Sequence, residues 1–162
     1  PVLSFWSGAL PINQDKDRAR HLFLDTVCAL RDSAPKDVSL AIEPEPGHLI
    51  STLSDFDSIS QELPPGVGLC LDIGHLLVND IYTPKEAIKK YSDVIKTVQL
   101  DDMPMGRHEH CPPGEGDIDW DEALRAIETH LPKNICACFE LSRDSHRFHE
   151  TIEVCSKLVS QL

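Results

Sequence analysis

Long apolar runs are missing from this chain, and so are clusters of basic residues. No stretch reaches the ~18 consecutive apolar residues that a membrane span needs, although 41% of the 162 residues are hydrophobic. Lys and Arg number 15 against 27 Asp and Glu, a formal net charge of -12. Partners built on a phosphate backbone are held by clustered Lys and Arg, so the balance disfavours nucleic acid. The opening PVLSFWSGAL has neither the basic start nor the apolar core of a signal peptide. Six cysteines are present, without a CxxC pair or the spacing of a disulfide framework. Reduced thiols in a cytoplasmic protein are the expectation. Pro1 leads straight into a strand-like apolar run, and the chain reads as a piece of something longer.

What is present is a regular alternation. VLSFWSG is a β-rich run ended by Gly8. DKDRARHLFLDTVCALRDSA then places Leu22, Thr26, Val27 and Leu30 on one helical face. VSLAIEPEPG is a second strand, and STLSDFDSISQEL repeats the helical spacing through Leu53, Phe56, Ile59 and Leu63. VGLCLDIGH is nearly continuous in its hydrophobicity, as strands buried on both faces are. Thr83-Pro84-Lys85-Glu86 reads as a cap, a first-turn proline and a capping-box glutamate, opening a helix through Ala87, Tyr91 and Ile95. KTVQLDD is the fourth strand; Asp119 caps WDEALRAIETHL, with Glu122 completing a second box. ICACFELS is the fifth strand, and RFHETIEVCSKLVSQL is an amphipathic helix carrying Phe148, Ile152, Cys155 and Val159. Five βα units without a hairpin signal imply a parallel α/β sheet with right-handed crossovers.

Four of the five strands hand over to their helices with ionisable residues. These are Glu43, Glu45 and His48; Asp72 and His75; Gln99, Asp101, Asp102, His108 and His110; and Glu140, Arg143, His146 and His149. Only His21 and His130 are expected within helices. Convergence from consecutive strands is what the mouth of a (β/α)8 TIM barrel requires. A doubly wound sheet concentrates ligands at one switch point and favours a Gly-rich first turn, for which SGALPINQD is a poor match. Glu43, Asp72 and Glu140 cannot crowd one mouth without a compensating positive charge. A divalent cation supplies it: carboxylates and an amide suit Mn or Mg, while added imidazoles shift the set toward Zn or Fe. Glu140, inside an apolar strand, would be costly to bury unpaired. Phe5 and Trp6 either pack or form an aromatic wall at the mouth. Cys111 has no oriented base and makes a poor nucleophile.

AIEPEPG, LCLDIGH, VQLDD with HEHCPPGEGDIDW, and CFELSR resemble successive signatures of the xylose isomerase-like TIM barrels, a superfamily of sugar isomerases, epimerases and endonuclease IV-type repair enzymes. The resemblance spans essentially the whole chain but only the last five of eight βα units. A barrel takes ~250 residues, so an incomplete barrel in a single domain over residues 1–162 is expected. The resemblance implies metal ligands at Glu43, Asp72 and Glu140, with Gln99 where the family has histidine. His75 matches a histidine that contacts substrate or a second metal. His110 falls where epimerases carry arginine and the nuclease branch histidine, and His108 where the nuclease branch has an aspartate ligand. The implied activity is metal-dependent isomerisation or epimerisation of a small sugar-like substrate through a metal-stabilised enediolate, with Glu43 and Glu140 removing and returning the proton. His75, His110 and Arg143 are the candidate substrate contacts, and Mn, Zn, Mg or Fe the candidate metals. The rival readings are endonuclease IV-type phosphodiester cleavage and a metabolite-binding barrel without catalysis. Two open strand edges call for self-association or for the absent half of the barrel.

Overall fold

The computed structural model describes residues 1–141 and 146–160. Arg143, a candidate substrate contact, lies outside them. Five strands, β1 (Val2–Trp6), β2 (Ser39–Glu43), β3 (Val67–Asp72), β4 (Ile95–Leu100) and β5 (Cys136–Phe139), form one sheet. They pair in chain order, each parallel to the last. A doubly wound sheet would reverse its order at a switch point. Sequential order makes this arrangement an arc of a barrel, five units long.

The crossovers are α1 (Lys16–Ser33), α2 (Leu53–Ser60), α3 (His75–Asn79) with α4 (Pro84–Tyr91), and α5 (Trp120–His130). α6 (Phe148–Val159) follows β5. Caps set several of the starts. Asp15 accepts from the amides of Asp17 and Arg18, and Thr52 and Thr83 form capping boxes with Asp55 and Glu86. Asp119 accepts from the Glu122 amide, but no reciprocal box forms there. The Glu122 carboxylate instead meets Lys85 Nζ at 3.0 Å. Ile95, expected on the helix, opens β4.

One face of the sheet, carrying Ile42, Leu69, Leu71, Val98 and Leu100, packs under the helices with Val27, Phe56, Ile59, Ile88 and Leu124. The opposite, concave face carries Glu43, Cys70, Asp72 and Gln99, as the period-two alternation of a strand demands. The core departs from the expected pattern at both flanks. α1 buries Phe23, Leu24 and Val27, whereas Leu22, Thr26 and Leu30 are exposed. α6 buries Thr151 and Cys155 and leaves Phe148, Ile152 and Val159 exposed. β5, expected to be buried, is exposed at Cys136, Ala137 and Cys138. The reason is common to all three: elements that would cover these faces in a closed barrel are not part of the arc. Among the described residues, no helix is long and apolar enough to cross a membrane. Cys28, Cys70, Cys136, Cys138 and Cys155 carry free thiols, and the Cys111 thiol donates to the Asp102 carbonyl at 3.1 Å.

Candidate active site and metal centre

β2 and β3 deliver Glu43 and Asp72 to the sheet's C-terminal edge, both 3% exposed. α3 starts immediately beyond, and the His75 amide donates to Asp72 Oδ1 at 3.0 Å. His75 Nδ1 lies 3.1 Å from the Pro44 carbonyl. A carbonyl only accepts, so Nδ1 carries the proton and Nε2 keeps its lone pair. That Nε2 lies 3.2 Å from His108 Nε2, 3.5 Å from Glu45 Oε2 and 3.7 Å from Asp72 Oδ2. Burial, helped by the nearby His108 and His110, pushes His75 down to about 3. It is therefore neutral at physiological pH, the form that binds metals.

The loop after β4 is organised by one residue. Asp102 is fully buried, and its carboxylate accepts from the amides of Met103, Gly114 and Ile118 and from Trp120 Nε1, all at 2.8–3.0 Å. An antiparallel bridge between Asp102 and Cys111 folds the loop back, which places His108 and His110 over the mouth. Gly116 packs so tightly that a Cβ there would sit 2.3 Å from Asp102 Oδ1. Asp101, also fully buried, accepts from the Gly74 amide at 3.2 Å. Its other oxygen lies 2.8 Å from His110 Nδ1, but off the hydrogen-bonding direction. Asp101 Oδ2, His110 Nδ1 and Asp72 Oδ2 are thus buried polar atoms with no hydrogen bond.

Carboxylate crowding leaves an electrostatic signature. Burial, and then the Asp72 charge, lifts Glu43 to about 8; a hydrogen bond with Trp6 offsets part of this. Burial and the neighbouring Asp101 carry Asp72 well above its usual range, and burial lifts Asp101 to about 6. Perturbation of this kind concentrates at functional sites. Glu140 follows β5, half-buried, and accepts from Gln99 Nε2 at 2.9 Å. Gln99 Oε1 receives the Cys70 thiol at 3.3 Å, so the amide bridges Cys70 to Glu140.

Glu43, Glu45, His108, His110 and Glu140 line one cavity of about 390 Å³, with Trp6 as its aromatic wall. A larger groove, about 720 Å³, runs along β1 and α1 beside Leu22 and Leu30. It lacks the convergent carboxylates and imidazoles, so the smaller cavity is the chemically equipped one. Among the described residues, three donor sets come within 4.8 Å: Glu43 with Asp72 and His75; Asp72 with Asp101 and His110; and His75 with His108 and His110. The sheet thus gathers Glu43, Asp72, His75, His108, His110, Gln99 and Glu140 at one mouth. Glu45 and Asp101 join them, though neither was among the candidate ligands or catalytic residues. The repeated acid in EPEP and the first acid of LDD were the available signals; strand alternation alone does not aim a residue beyond a strand's last pair.

Residues 1–158 match the sequence profile of the xylose isomerase-like TIM barrels. The chain belongs to that family. Solved structures agree on the fold. The IOLI protein, whose structure carries a bound zinc atom, superposes with a TM-score of 0.74 at 20% identity, over 99% of this chain and 62% of that one. The probable 3-DHS dehydratase AsbF of Bacillus anthracis gives 0.78 at 14%, over 98% and 63%. The 3-keto-D-glucoside 4-epimerase YcjR of E. coli gives 0.71 at 16%, also over 98% and 63%. The chain therefore spans less than two thirds of the length of these xylose isomerase-like relatives. No curated protein matches significantly.

Proposed function

We propose that this chain carries the mouth of a metal-dependent sugar isomerase or epimerase, moving a proton at a carbon beside a carbonyl. One observation carries the reading: Glu43, at the end of β2, and Glu140, just past β5, open onto a single cavity of about 390 Å³. A divalent cation fits the residues between them, because Asp72 Oδ2, Asp101 Oδ2 and His110 Nδ1 are buried without hydrogen bonds. Glu43, Asp72, His75 and His108 would hold it, with Glu140, Gln99, His110 and Asp101 within the same mouth. Mixed carboxylate and imidazole donors favour Zn, Mn or Fe over Mg. Once bound, such a cation supplies Lewis-acid polarisation of a carbonyl and an adjacent hydroxyl.

The remaining roles belong to side chains. Glu43, lifted to about 8 by burial without metal, would act as the base on one side of the substrate once a bound cation brought it to its ionised form. Glu140, oriented by Gln99 Nε2, serves the other side of the substrate. His110 and Arg143 bind its oxygens, and Trp6 walls the cavity. Thiols at Cys28, Cys70, Cys136, Cys138 and Cys155 support a reducing, cytoplasmic setting.

The test is solvent-deuterium wash-in at the carbon next to the carbonyl of hydroxy-ketone sugars, beside metal content measured by mass spectrometry on protein purified without chelator. Wild-type exchange that falls at least about 100-fold in Glu140→Gln, with metal retained, is the expected result. Exchange unchanged in that variant overturns the assignment of Glu140. Absence of metal, with no rise in Tm for any divalent ion, favours a metabolite-binding barrel. The three-histidine set of His75, His108 and His110 favours a second reading, phosphodiester cleavage of the endonuclease IV type. Binding of an abasic duplex at low salt would support it against the charge of -12.

The open flanks carry a proposal of their own: β1 and β5 are covered in solution by another copy of the chain or by further βα units. Leu3 and Leu22, both more than half exposed, mark the surface that such units would bury.

A further inference from the structure

The concave face of the sheet holds chemistry that the mouth does not use. β5 reads Cys136-Ala137-Cys138-Phe139, and alternation puts Cys136, Cys138 and Glu140 on the side that carries Thr97 and Gln99 of β4. The two thiols therefore sit side by side, Sγ to Sγ 3.4 Å. Both residues are exposed. Thr97 Oγ1 donates to the Cys136 carbonyl at 3.0 Å, which fixes the backbone beneath them. Phe139, on the opposite face, packs against Trp120 with ring centroids 6.1 Å apart. The pair is thus a dithiol set on an anchored strand, with Cys138 level with Gln99 and Cys136 level with Thr97, further from the mouth.

We infer that Cys136 and Cys138 together bind a soft, thiophilic d10 cation, a site distinct from the oxygen- and nitrogen-rich mouth. The spacing is suited to it. Metal–sulfur bonds of ~2.3 Å at a tetrahedral angle place two sulfurs roughly 3.8 Å apart. The observed 3.4 Å is reached from there by a small χ1 rotation of either side chain. Thiolate ligands select soft ions over Mg or Mn, so the two sites divide the available metals by chemistry. The balance is simple: each thiol gives its proton to solvent as its metal–sulfur bond forms, and no electrons change hands. Because ligation releases both thiol protons, affinity rises with pH. Cys70 stays outside this site, its thiol engaged by Gln99 Oε1 at 3.3 Å.

Cadmium is the probe, because thiolate ligation gives an ultraviolet sulfur-to-cadmium charge-transfer band that carboxylates and imidazoles do not. The reduced, full 162-residue chain is titrated with Cd2+, and circular dichroism confirms that each variant is folded. The expected result is a band saturating at one equivalent, weakened about tenfold or more in Cys136→Ser or Cys138→Ser, and absent in the double variant. Cys70→Ser and the mouth variant Asp72→Asn keep it. That control separates failure of this site from failure of the proposed mouth chemistry. A band that survives the double variant, or that vanishes in Cys70→Ser alone, overturns the inference. So does a thiol count of four rather than six under non-reducing denaturation, which would mean that the pair exists as a disulfide.

Discussion

Glu43 shows how much one residue's surroundings decide. A carboxylate at a strand end normally titrates near 4.5; here burial and the Asp72 charge raise it to about 8. In metal-free protein the folded state therefore binds more protons than the unfolded chain between those two values. Stability from this group is present at low pH and is lost as pH rises through about 8. His75 acts in the opposite sense, since its folded value near 3 lies below the ordinary 6.5, and it costs stability only below pH 6.5. The clean window is thus pH 6.5 to 8, where Tm of metal-free protein is expected to rise as pH falls. Zinc should flatten or reverse that slope, because ligating carboxylates must be deprotonated. Scanning calorimetry with chelator and with Zn2+ decides it, and a slope unaffected by zinc would count against metal at Glu43. The same crowding predicts that Asp72→Asn stabilises the metal-free protein while abolishing its bound metal. Removing one of several repelling buried carboxylates does the first, and losing a ligand does the second.

At the level of elements, the loop between β4 and α5 depends on Asp102 more than on any histidine it displays. Four donors converge on that buried carboxylate. An asparagine keeps one acceptor oxygen and presents an amide to donors, so Asp102→Asn is expected to cost about 3 kcal/mol. With roughly 2–4 °C per kcal/mol for a chain of this size, Tm should fall by about 10 °C. Metal affinity should fall with it, although Asp102 touches no ligand, because His108 and His110 lose their platform. Unfolding and metal titration of the same variant check both halves. α2 offers a contrast. Phe56, 2% exposed and edge-on to Tyr91 with centroids 6.5 Å apart, is packing alone. Phe56→Ala should cost about 3–5 kcal/mol and leave the metal stoichiometry of the folded protein unchanged.

At the scale of the chain, the described residues form an arc whose outer strands, β1 and β5, each pair on one side only. A parallel sheet is ordinarily covered on both faces, and an exposed edge templates further pairing. Leu22, Leu30 and Leu3 beside β1, and Phe148 and Ile152 on α6, are left to solvent. Light scattering at micromolar concentration is expected to return a mass above the 18.1 kDa monomer. A monodisperse, cooperatively unfolding monomer would refute self-association. Titrating Leu22→Asp should shift any assembly toward monomer without unfolding it, since Leu22 supports nothing inside the arc.

The sequence by itself determined the five βα units, the parallel sheet and the strand ends where Glu43, Asp72, Gln99 and Glu140 stand. Each of these follows from local periodicity, capping and the alternation of a strand. Tertiary structure decided three other things. It set Asp101 and Glu45, which the sequence places only at strand ends, against His110 and His75, by loop geometry beyond the last strand pair. It gave Asp102 a structural role and Gln99 its bridge from Cys70 to Glu140. And it exposed the faces of α1, β5 and α6 that sequence patterning reads as buried, because burial depends on what lies beside an element, and an arc has no neighbours at its ends.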